Sequence, residues 1–254
     1  MDKLSPSDLK LFLDEKVDQY NKPEFISSDP LQIPHSFHKR QDIEIAGFLT
    51  ATIAWGNRKS ILNSAHKMIQ LMDEAPYDFI SNHTQQDLKS LNSFVHRTFN
   101  GTDLITFITG LKRLYQSHDS LESLFLGQKN VQLGIHEFKK TFFDFPHPER
   151  SEKHISDPLK KSAAKRLNMF LRWMVRPSDT GVDLGLWQRI KPAQLSCPLD
   201  VHSGRVARKL GLLNRSQNDA TAVKELDEAL RRMDPKDPVK YDFALFGLGV
   251  FEKF

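Results

Sequence analysis

The segment Cys197–Arg208, CPLDVHSGRVAR, holds the residues of this chain that are best suited to chemistry. Pro198 leads into Asp200, and the pattern predicts a helix after it with Val206 and Ala207 on the buried side. An aspartate at this position caps a helix, because its carboxylate accepts hydrogen bonds from the first backbone N–H groups. Those donors and the helix dipole favour a fixed negative charge. Such a carboxylate is ordinarily structural, so its neighbours decide whether it does more.

Basic residues are concentrated between Glu149 and Arg176, where eight lysines and arginines accompany three acidic residues. Five polar residues recur at one-turn spacing and are predicted to share one face of a helix. They are Lys161, Lys165, Asn168, Arg172 and Arg176. Like charges at this spacing repel one another, and a phosphate backbone would neutralise them. A solvated surface face is the alternative interpretation.

The Cys197–Arg208 segment resembles the catalytic-aspartate region of the helix-hairpin-helix DNA glycosylase superfamily, which includes endonuclease III and the 8-oxoguanine glycosylases. The matching residues are Pro198, Asp200, His202, Arg205, Val206 and Ala207. The resemblance implies that Asp200 activates the attacking nucleophile. It also implies that Asp200 stabilises the positive charge that develops on the deoxyribose as the N-glycosidic bond breaks. The resemblance covers roughly residues 145–250.

Bifunctional members of that superfamily also use a lysine on the preceding helix, which forms a Schiff base with the sugar and permits strand cleavage. The resemblance points to Lys165, whose spacing from Asp200 is similar to that of the archaeal 8-oxoguanine glycosylase branch. Lys161 is the alternative, since the sequence can be aligned one turn earlier. Both lysines could instead contact phosphate or solvent. The superfamily's Leu-Pro-Gly-x-Gly hairpin is absent, and HISDPLKKSAAK takes its place.

The basic residues and the resemblance together predict contacts to nucleic acid. The predicted contacts are Arg58, Lys160, Arg166, Asn168, Arg172, Arg176, His202, Arg205 and Arg208. Trp173 and Trp187 are candidates to stack on an extruded base, and Asp242 is a candidate to contact it. Each tryptophan could instead belong to the core.

These features predict a DNA repair enzyme that flips a damaged base and cleaves its N-glycosidic bond, with an abasic-site lyase step at the lysine. The expected partner is double-stranded DNA that contains a lesion, and RNA is the alternative partner. A DNA- or RNA-binding module without catalysis is the alternative function. A protein-interaction scaffold is a third hypothesis.

A second resemblance extends over the whole chain, to a bacterial family labelled only as a conserved domain of unknown function. The matching stretches are DIEIAGFLTATIAWGNRKSI, FVHRTF, KRLNMFLRWMVR, DLGLW, PLDVHSGRVARKLGL and DPVKYDFALFGLGV. This resemblance implies a shared fold and brings no established activity with it.

Helical periodicity runs through the sequence and alternating β-branched runs are scarce, so an all-α fold is predicted. The predicted helices cover roughly residues 6–21, 41–55, 58–72, 103–115, 133–142, 162–175, 203–212, 220–233 and 239–247, with an irregular segment over 29–38. The expected architecture is glycosylase-like, with two helical lobes around a cleft. One compact unit over 1–254 is expected, with candidate lobes at 1–145 and 146–254.

Composition excludes several classes of protein. Hydrophobic residues are 39% and charged residues 27% of the 254, which favours a soluble globular protein. The net charge of +4 permits a polyanionic partner. The single cysteine, Cys197, excludes a disulfide framework and a cysteine-based zinc site. There is no metal-binding His-Glu-x-x-His and no nucleotide-binding glycine motif, so no metal and no cofactor are expected. The sequence also lacks a membrane-length apolar run and a secretion signal, and a cytoplasmic location is expected.

Overall fold

A computed structural model describes residues 5–254, in which helices hold 64% of the chain and strands 2%. This confirms the all-α class. In chain order the helices are α1 (Pro6–Tyr20), α2 (Gln32–His35), α3 (Arg40–Thr52), α4 (Arg58–Gln70), α5 (Pro76–Asn82), α6 (Gln85–Ser90), α7 (Gly101–Ser117), α8 (Val131–Phe142), α9 (Lys165–Val175), α10 (Val201–Lys209), α11 (Ala220–Met233) and α12 (Tyr241–Val250). Strands β1 (Val95–His96) and β2 (Phe99–Asn100) form an antiparallel hairpin. Within residues 5–254, none of the helices combines the length and apolarity that crossing a bilayer requires.

The chain divides into two compact units, each made of separate stretches of sequence. The first unit contains the described residues up to Phe25, together with Asn130–Leu133 and Asp157–Phe254. The second contains Ile26–Lys129 and Gly134–Ser156. The expected lobes 1–145 and 146–254 stay predictions, and residues 1–4 lie outside the described part of the chain.

The core of the first unit is built around α12, which packs against both α1 and α10. Leu13 of α1, Val206 of α10 and Leu245 of α12 belong to one buried cluster. The sequence of α12, YDFALFGLGV, is apolar around almost its whole circumference, as expected for an enclosed helix. Its one charged residue, Asp242, is therefore carried into the interior of this unit.

Aromatic side chains fill the core of the second unit. The ring of Phe48 on α3 lies 5.8 Å from that of Phe107 on α7 and 5.4 Å from that of Phe138 on α8, measured between centroids. The β1–β2 hairpin carries His96, whose side chain is buried. The Nδ1 atom of His96 lies 2.9 Å from Oγ of Ser64 on α4, which ties the hairpin to that helix.

Most predicted helices are present, with differences at their ends that have local causes. Ser5 caps α1 through its side chain, and Pro6 is the first helical residue, as predicted. Helix α9 begins at Lys165 rather than at 162, because Ala164 adopts a left-handed conformation with φ of 44°. The segment 29–38, expected to be irregular, contains the short helix α2. Helices α5 and α6 and the β-hairpin were not predicted.

Gly101, the first residue of α7, lies against the backbone of a neighbouring turn. A Cβ atom there would be 2.4 Å from Cα of Asn92 and 2.6 Å from its carbonyl oxygen. We expect Gly101→Ala to lower the free energy of unfolding by about 1–3 kcal/mol, because backbone atoms cannot move aside as a side chain can. Urea denaturation measures this loss.

Gly134→Ala is the matched control for this substitution, because Gly134 also lies in a helix of the second unit. A Cβ atom at Gly134 would meet nothing closer than 3.4 Å, which is ordinary contact. Alanine also has the higher helix propensity, so this control should be neutral or stabilising. Equal stability of the two variants would contradict the prediction.

Candidate active site

Asp200 stands at the start of α10 and caps it, which confirms the predicted cap. Its Oδ1 accepts hydrogen bonds from the backbone N–H groups of His202 at 2.8 Å and of Ser203 at 2.9 Å. The backbone N–H of Asp200 in turn donates to Oγ of Ser203 at 2.9 Å. This reciprocal pair fixes the carboxylate at the helix end. Asp200 is half-buried.

Asp242 on α12 is a buried carboxyl group, 5% exposed. Burial and the charge of Asp200 raise its pKa to about 6, against the opposing effects of Arg172 and Lys165. A neighbouring charge changes the pKa of a carboxyl group appreciably only over a short distance. Asp200 and Lys165 are thus each near enough to Asp242 for their charges to affect its pKa.

Lys165 is the first residue of α9 and is half-buried. Lys161 lies outside that helix, with φ of 68°, and is exposed. The expectation that both lysines share one helix face is therefore wrong. The physical reason is the left-handed turn at Ala164, which ends the helical path between them. The charge of Lys165 is among those that lower the pKa of Asp242.

The arrangement of Lys165, Asp200 and Asp242 has a definite chemical capacity. A lysine amine is a nucleophile toward sugar and carbonyl carbon when a neighbouring group takes its proton. A fixed carboxylate close to it can accept that proton and can stabilise a cation that develops beside it. We refer to these three residues as the Lys–Asp cluster.

Arg172 and Arg176 do not form the solvent-exposed basic face that their spacing indicates. They are 4% and 6% exposed, and both contact Asp183, which is fully buried. Arg172 also pairs with Asp242, and Arg176 with Asp237 at 2.8 Å. These neighbouring carboxylates raise the pKa of Arg176, although burial acts against them. The two arginines therefore neutralise carboxylates of their own chain.

Asn168, a member of the predicted basic face, is also enclosed, and Arg166, a predicted nucleic-acid contact, is partly enclosed. Asn168 is 1% exposed, donates from Nδ2 to the carbonyl oxygen of Ala163 and accepts from Nε2 of Gln132, each at 3.0 Å. Arg166 is half-buried, and burial lowers its pKa to about 10. Asn168 is thus a structural residue here, since both ends of its amide have partners within the unit.

Trp173 and Trp187 belong to the core of the first unit, which was the alternative for each of them. They are 0% and 1% exposed, so neither ring offers a face to a base from solvent. The ring of Trp187 meets that of Phe170 edge-on at 5.4 Å. Their predicted role in stacking is therefore not supported by their positions.

The remaining predicted contacts differ in accessibility. Lys160, His202 and Arg205 are exposed, although Arg205 donates from Nη2 to the carbonyl oxygen of Gly249 at 2.8 Å. Arg208 is half-buried and donates to the carbonyl oxygen of Arg215 at 2.7 Å. Arg58 lies in the second unit, at the start of α4, and donates to Oγ of Ser28 at 3.2 Å.

The sequence carries no local signal for the carboxylates that hold the buried arginines. Asp183 lies in the DLGLW stretch, which the sequence marks only as part of the whole-chain resemblance. Asp227 was missed as well: it accepts from the backbone N–H of Cys197 at 2.8 Å, and burial raises its pKa to about 6. Burial also raises the pKa of the Cys197 thiol. Among residues 5–254, no three His, Cys, Asp or Glu side chains are arranged to hold a metal ion.

Comparison with known proteins places the chain in a family. No curated protein and no solved structure matches it. One family model matches residues 29–251, which is most of the chain. The protein therefore belongs to the family described as "Protein of unknown function (DUF2400)".

Proposed function

We propose that this protein is a DNA N-glycosylase with an abasic-site lyase step, on a fold of the helix-hairpin-helix glycosylase type. The observation that carries the proposal is the Lys–Asp cluster, in which Lys165 and Asp200 both influence the pKa of the buried Asp242. Excision of a base by a lysine needs a nucleophile and a fixed carboxylate at one place. Distant parts of the sequence supply both groups to the first unit.

The proposed reaction starts with transfer of a proton from the Lys165 ammonium to the Asp200 carboxylate, which passes it to water and is again negative when the glycosidic bond breaks. The free amine forms a bond to C1′ of the deoxyribose while the bond from C1′ to the base breaks. The base leaves with the bonding electron pair and takes a proton from water. The secondary ammonium of Lys165 then loses a proton to water, and the freed nitrogen lone pair opens the sugar ring by breaking the bond from C1′ to the ring oxygen. The ring oxygen takes a proton from water, and a Schiff base links Nζ to C1′.

The fixed position of Asp200 suits it to the transition state of this reaction. Positive charge develops on the sugar as the glycosidic bond breaks, and a nearby carboxylate stabilises it electrostatically. The two backbone N–H donors of His202 and Ser203 hold Oδ1 in place before the substrate arrives. A carboxylate that is already oriented needs little reorganisation during the reaction.

Exposed cations of the first unit supply the expected contacts to the DNA backbone. Lys160 and Lys161 lie next to each other in the turn before α9, and Arg205 lies on α10. Phosphate contacts of this kind position a duplex without reading its sequence. The lesion is then selected by the ease of base extrusion and by the shape of the site.

Borohydride trapping tests the proposal directly. We expect a covalent adduct with at least one duplex from a panel that carries 8-oxoguanine, uracil, alkylated purines, oxidised pyrimidines or an abasic site. Borohydride reduces the Schiff base and makes the link permanent, so gel electrophoresis detects it. Lys165→Ala should abolish the adduct, and Lys161→Ala, which removes an exposed lysine nearby, should retain it.

Two results would contradict the proposal. The first is the absence of both an adduct and base release over the whole panel. The second is an adduct that persists in Lys165→Ala, because another group would then be the nucleophile. Circular dichroism of each variant shows whether the helical fold is retained.

A further inference from the structure

An open groove lies along α4 in the second unit. Its volume is about 380 Å³, and it is lined by Asn57, Lys59, Ser60, Asn63, Ser64 and Lys67. This size is within the range of roughly 300–1,000 Å³ that is typical of ligand sites. Every lining residue is polar, and all except Ser64, whose hydroxyl bonds to His96, offer hydrogen-bond donors to the groove. We refer to these six residues as the α4 groove.

The charge of the α4 groove is positive. No aspartate or glutamate occurs anywhere in α4 or at its capping residue Asn57. Lys59 and Lys67 are exposed, and no residue in the described part of the chain forms an ion pair with either of them. Their charges are therefore available to an anion from outside the protein.

A third cation lies at the N-terminal end of α4. Arg97, at the tip of the β-hairpin, is exposed and has a positive φ of 54°. Its guanidinium group packs against Gly56: a Cβ atom at that glycine would lie 2.9 Å from Nη1. Gly56 itself has a φ of 102°, so this turn depends on glycine for its backbone angle. Arg97 is thus held beside the residue that precedes Asn57.

The wall of the groove is fixed from behind by His96, which is 2% exposed. Burial lowers the pKa of His96, and the charge of Arg97 lowers it further, so the imidazole is neutral at pH 7. Its Nε2 lies 3.3 Å from the carbonyl oxygen of Trp55 and must carry the proton. Nδ1 then accepts the hydrogen bond from Oγ of Ser64. The hydroxyl group is therefore oriented before any ligand binds.

The two lysines are spaced to follow a phosphate backbone. They lie eight positions apart on the same face of α4, a rise of about 12 Å along the helix axis. One strand of duplex DNA carries a phosphate for about every 3.4 Å of rise along the duplex axis, so two lysines separated in this way can contact different phosphates of one strand. A phosphate backbone suits the groove because its lining combines two lysines with neutral hydrogen-bond donors and contains no carboxylate.

From these observations we infer that the α4 groove binds the phosphodiester backbone of DNA, as a second contact surface that is separate in the chain from the Lys–Asp cluster. The choice of DNA rests on the proposed function, whereas the preference for phosphate rests on the groove itself. Lys59, Lys67 and Arg97 supply the charge, and the side chains of Asn63 and Ser60 supply neutral donors. The contact is independent of base sequence.

The salt dependence of DNA binding tests the inference. Fluorescence anisotropy with a labelled duplex that contains no lesion gives the affinity of wild-type protein and of Lys59→Gln/Lys67→Gln over a series of salt concentrations. Each phosphate contact that is lost should reduce the slope of log affinity against log salt by about 0.9, so the double variant should lose about 1.8. Near 0.1 M salt this corresponds to roughly tenfold weaker binding per lysine.

Lys89→Gln/Lys129→Gln is the matched control, because it removes two exposed lysines from elsewhere in the second unit. It changes the net charge equally and should leave the slope close to that of the wild type. A slope for the α4 double variant equal to that of the control overturns the inference. So does a wild-type protein that does not bind the duplex.

The two proposals can fail separately. A trapped adduct together with an unchanged salt slope in the α4 variant would support the proposed glycosylase activity and contradict the groove as a DNA contact. If no adduct forms but the α4 variant loses the salt-dependent binding of the wild type, the groove is supported as a DNA contact and the proposed reaction of Lys165 is contradicted.

Discussion

Asp200→Asn should lower the rate of base release by about a hundred- to a thousandfold, the usual effect of removing one preorganised electrostatic group from an active site. The variant loses the negative charge that accepts a proton from Lys165 and stabilises the sugar cation. It keeps a helix cap, because asparagine caps helices about as well as aspartate and its Oδ1 can accept from His202 and Ser203. The expected result is therefore loss of activity in a protein with native stability.

Single-turnover kinetics on the best substrate from the trapping panel measures this rate, and anisotropy measures the affinity for the same duplex. Affinity should be retained in Asp200→Asn, because the substituted group acts on the reacting sugar rather than on phosphate. Asp219→Asn is the matched control: Asp219 caps α11 in the same unit through the N–H of Ala222. A full rate in Asp200→Asn would mean that Asp200 is only a structural cap, and would favour a binding module without catalysis.

Arg172→Met should lower the free energy of unfolding by about 3–5 kcal/mol, because it removes one partner from a buried ion-pair network. Arg172 contacts Asp183 and Asp242, and its guanidinium lies 4.3 Å from the ring centre of Phe243. Asp183 keeps Arg176 as a partner, whereas Asp242 is left in the interior without the cation that it pairs with. Methionine fills a similar volume, so the loss reports the charge rather than a cavity.

The effect of pH follows from the pKa of Asp242, which is about 6 in the folded protein against an ordinary 3.8. Between these two values the folded protein holds a proton that the unfolded chain has released. The contribution of this group to stability is therefore largest below pH 4 and falls as the pH rises through about 6. Loss of Arg172 raises the pKa of Asp242 further, so the variant should be most destabilised at neutral pH and less so near pH 5.

Urea denaturation of wild type and Arg172→Met at both pH values checks this prediction. Arg215→Met serves as the control, since Arg215 pairs with Asp219 at the surface and water screens such a pair. Its loss of stability should be much smaller and should not follow the titration of Asp242. A destabilisation of Arg172→Met that is the same at both pH values would contradict the assigned role of Asp242.

Local patterns in the sequence determine a large part of this molecule. The cap at Asp200 involves residues within three positions, and the cap at Ser5 is equally local, so both could be predicted. Helical periodicity determines the all-α class for the same reason, because it arises from neighbours three and four positions apart. The family resemblance added Lys165 and Asp200 as a pair, and the structure gives both an effect on Asp242.

Only the tertiary structure decided which polar residues face solvent. Periodicity predicts that Asn168, Arg172 and Arg176 share a face, but it does not reveal what covers that face. Their partners come from other stretches of the chain, such as Asp242 on α12, and no local pattern links them. Burial of Trp173 and Trp187 has the same origin, since enclosure depends on elements distant in sequence.

The division into two units could not be predicted from local patterns either, because each unit is assembled from stretches that are separate in the sequence. The α4 groove likewise depends on a hairpin that was not predicted, since His96 and Arg97 reach α4 only when the chain folds back. The sequence by itself therefore determined the helices, their caps and the chemical types of the candidate residues. Tertiary contacts decided which charges are neutralised inside the protein and which remain for a ligand, because burial and ion pairing depend on residues far apart in sequence.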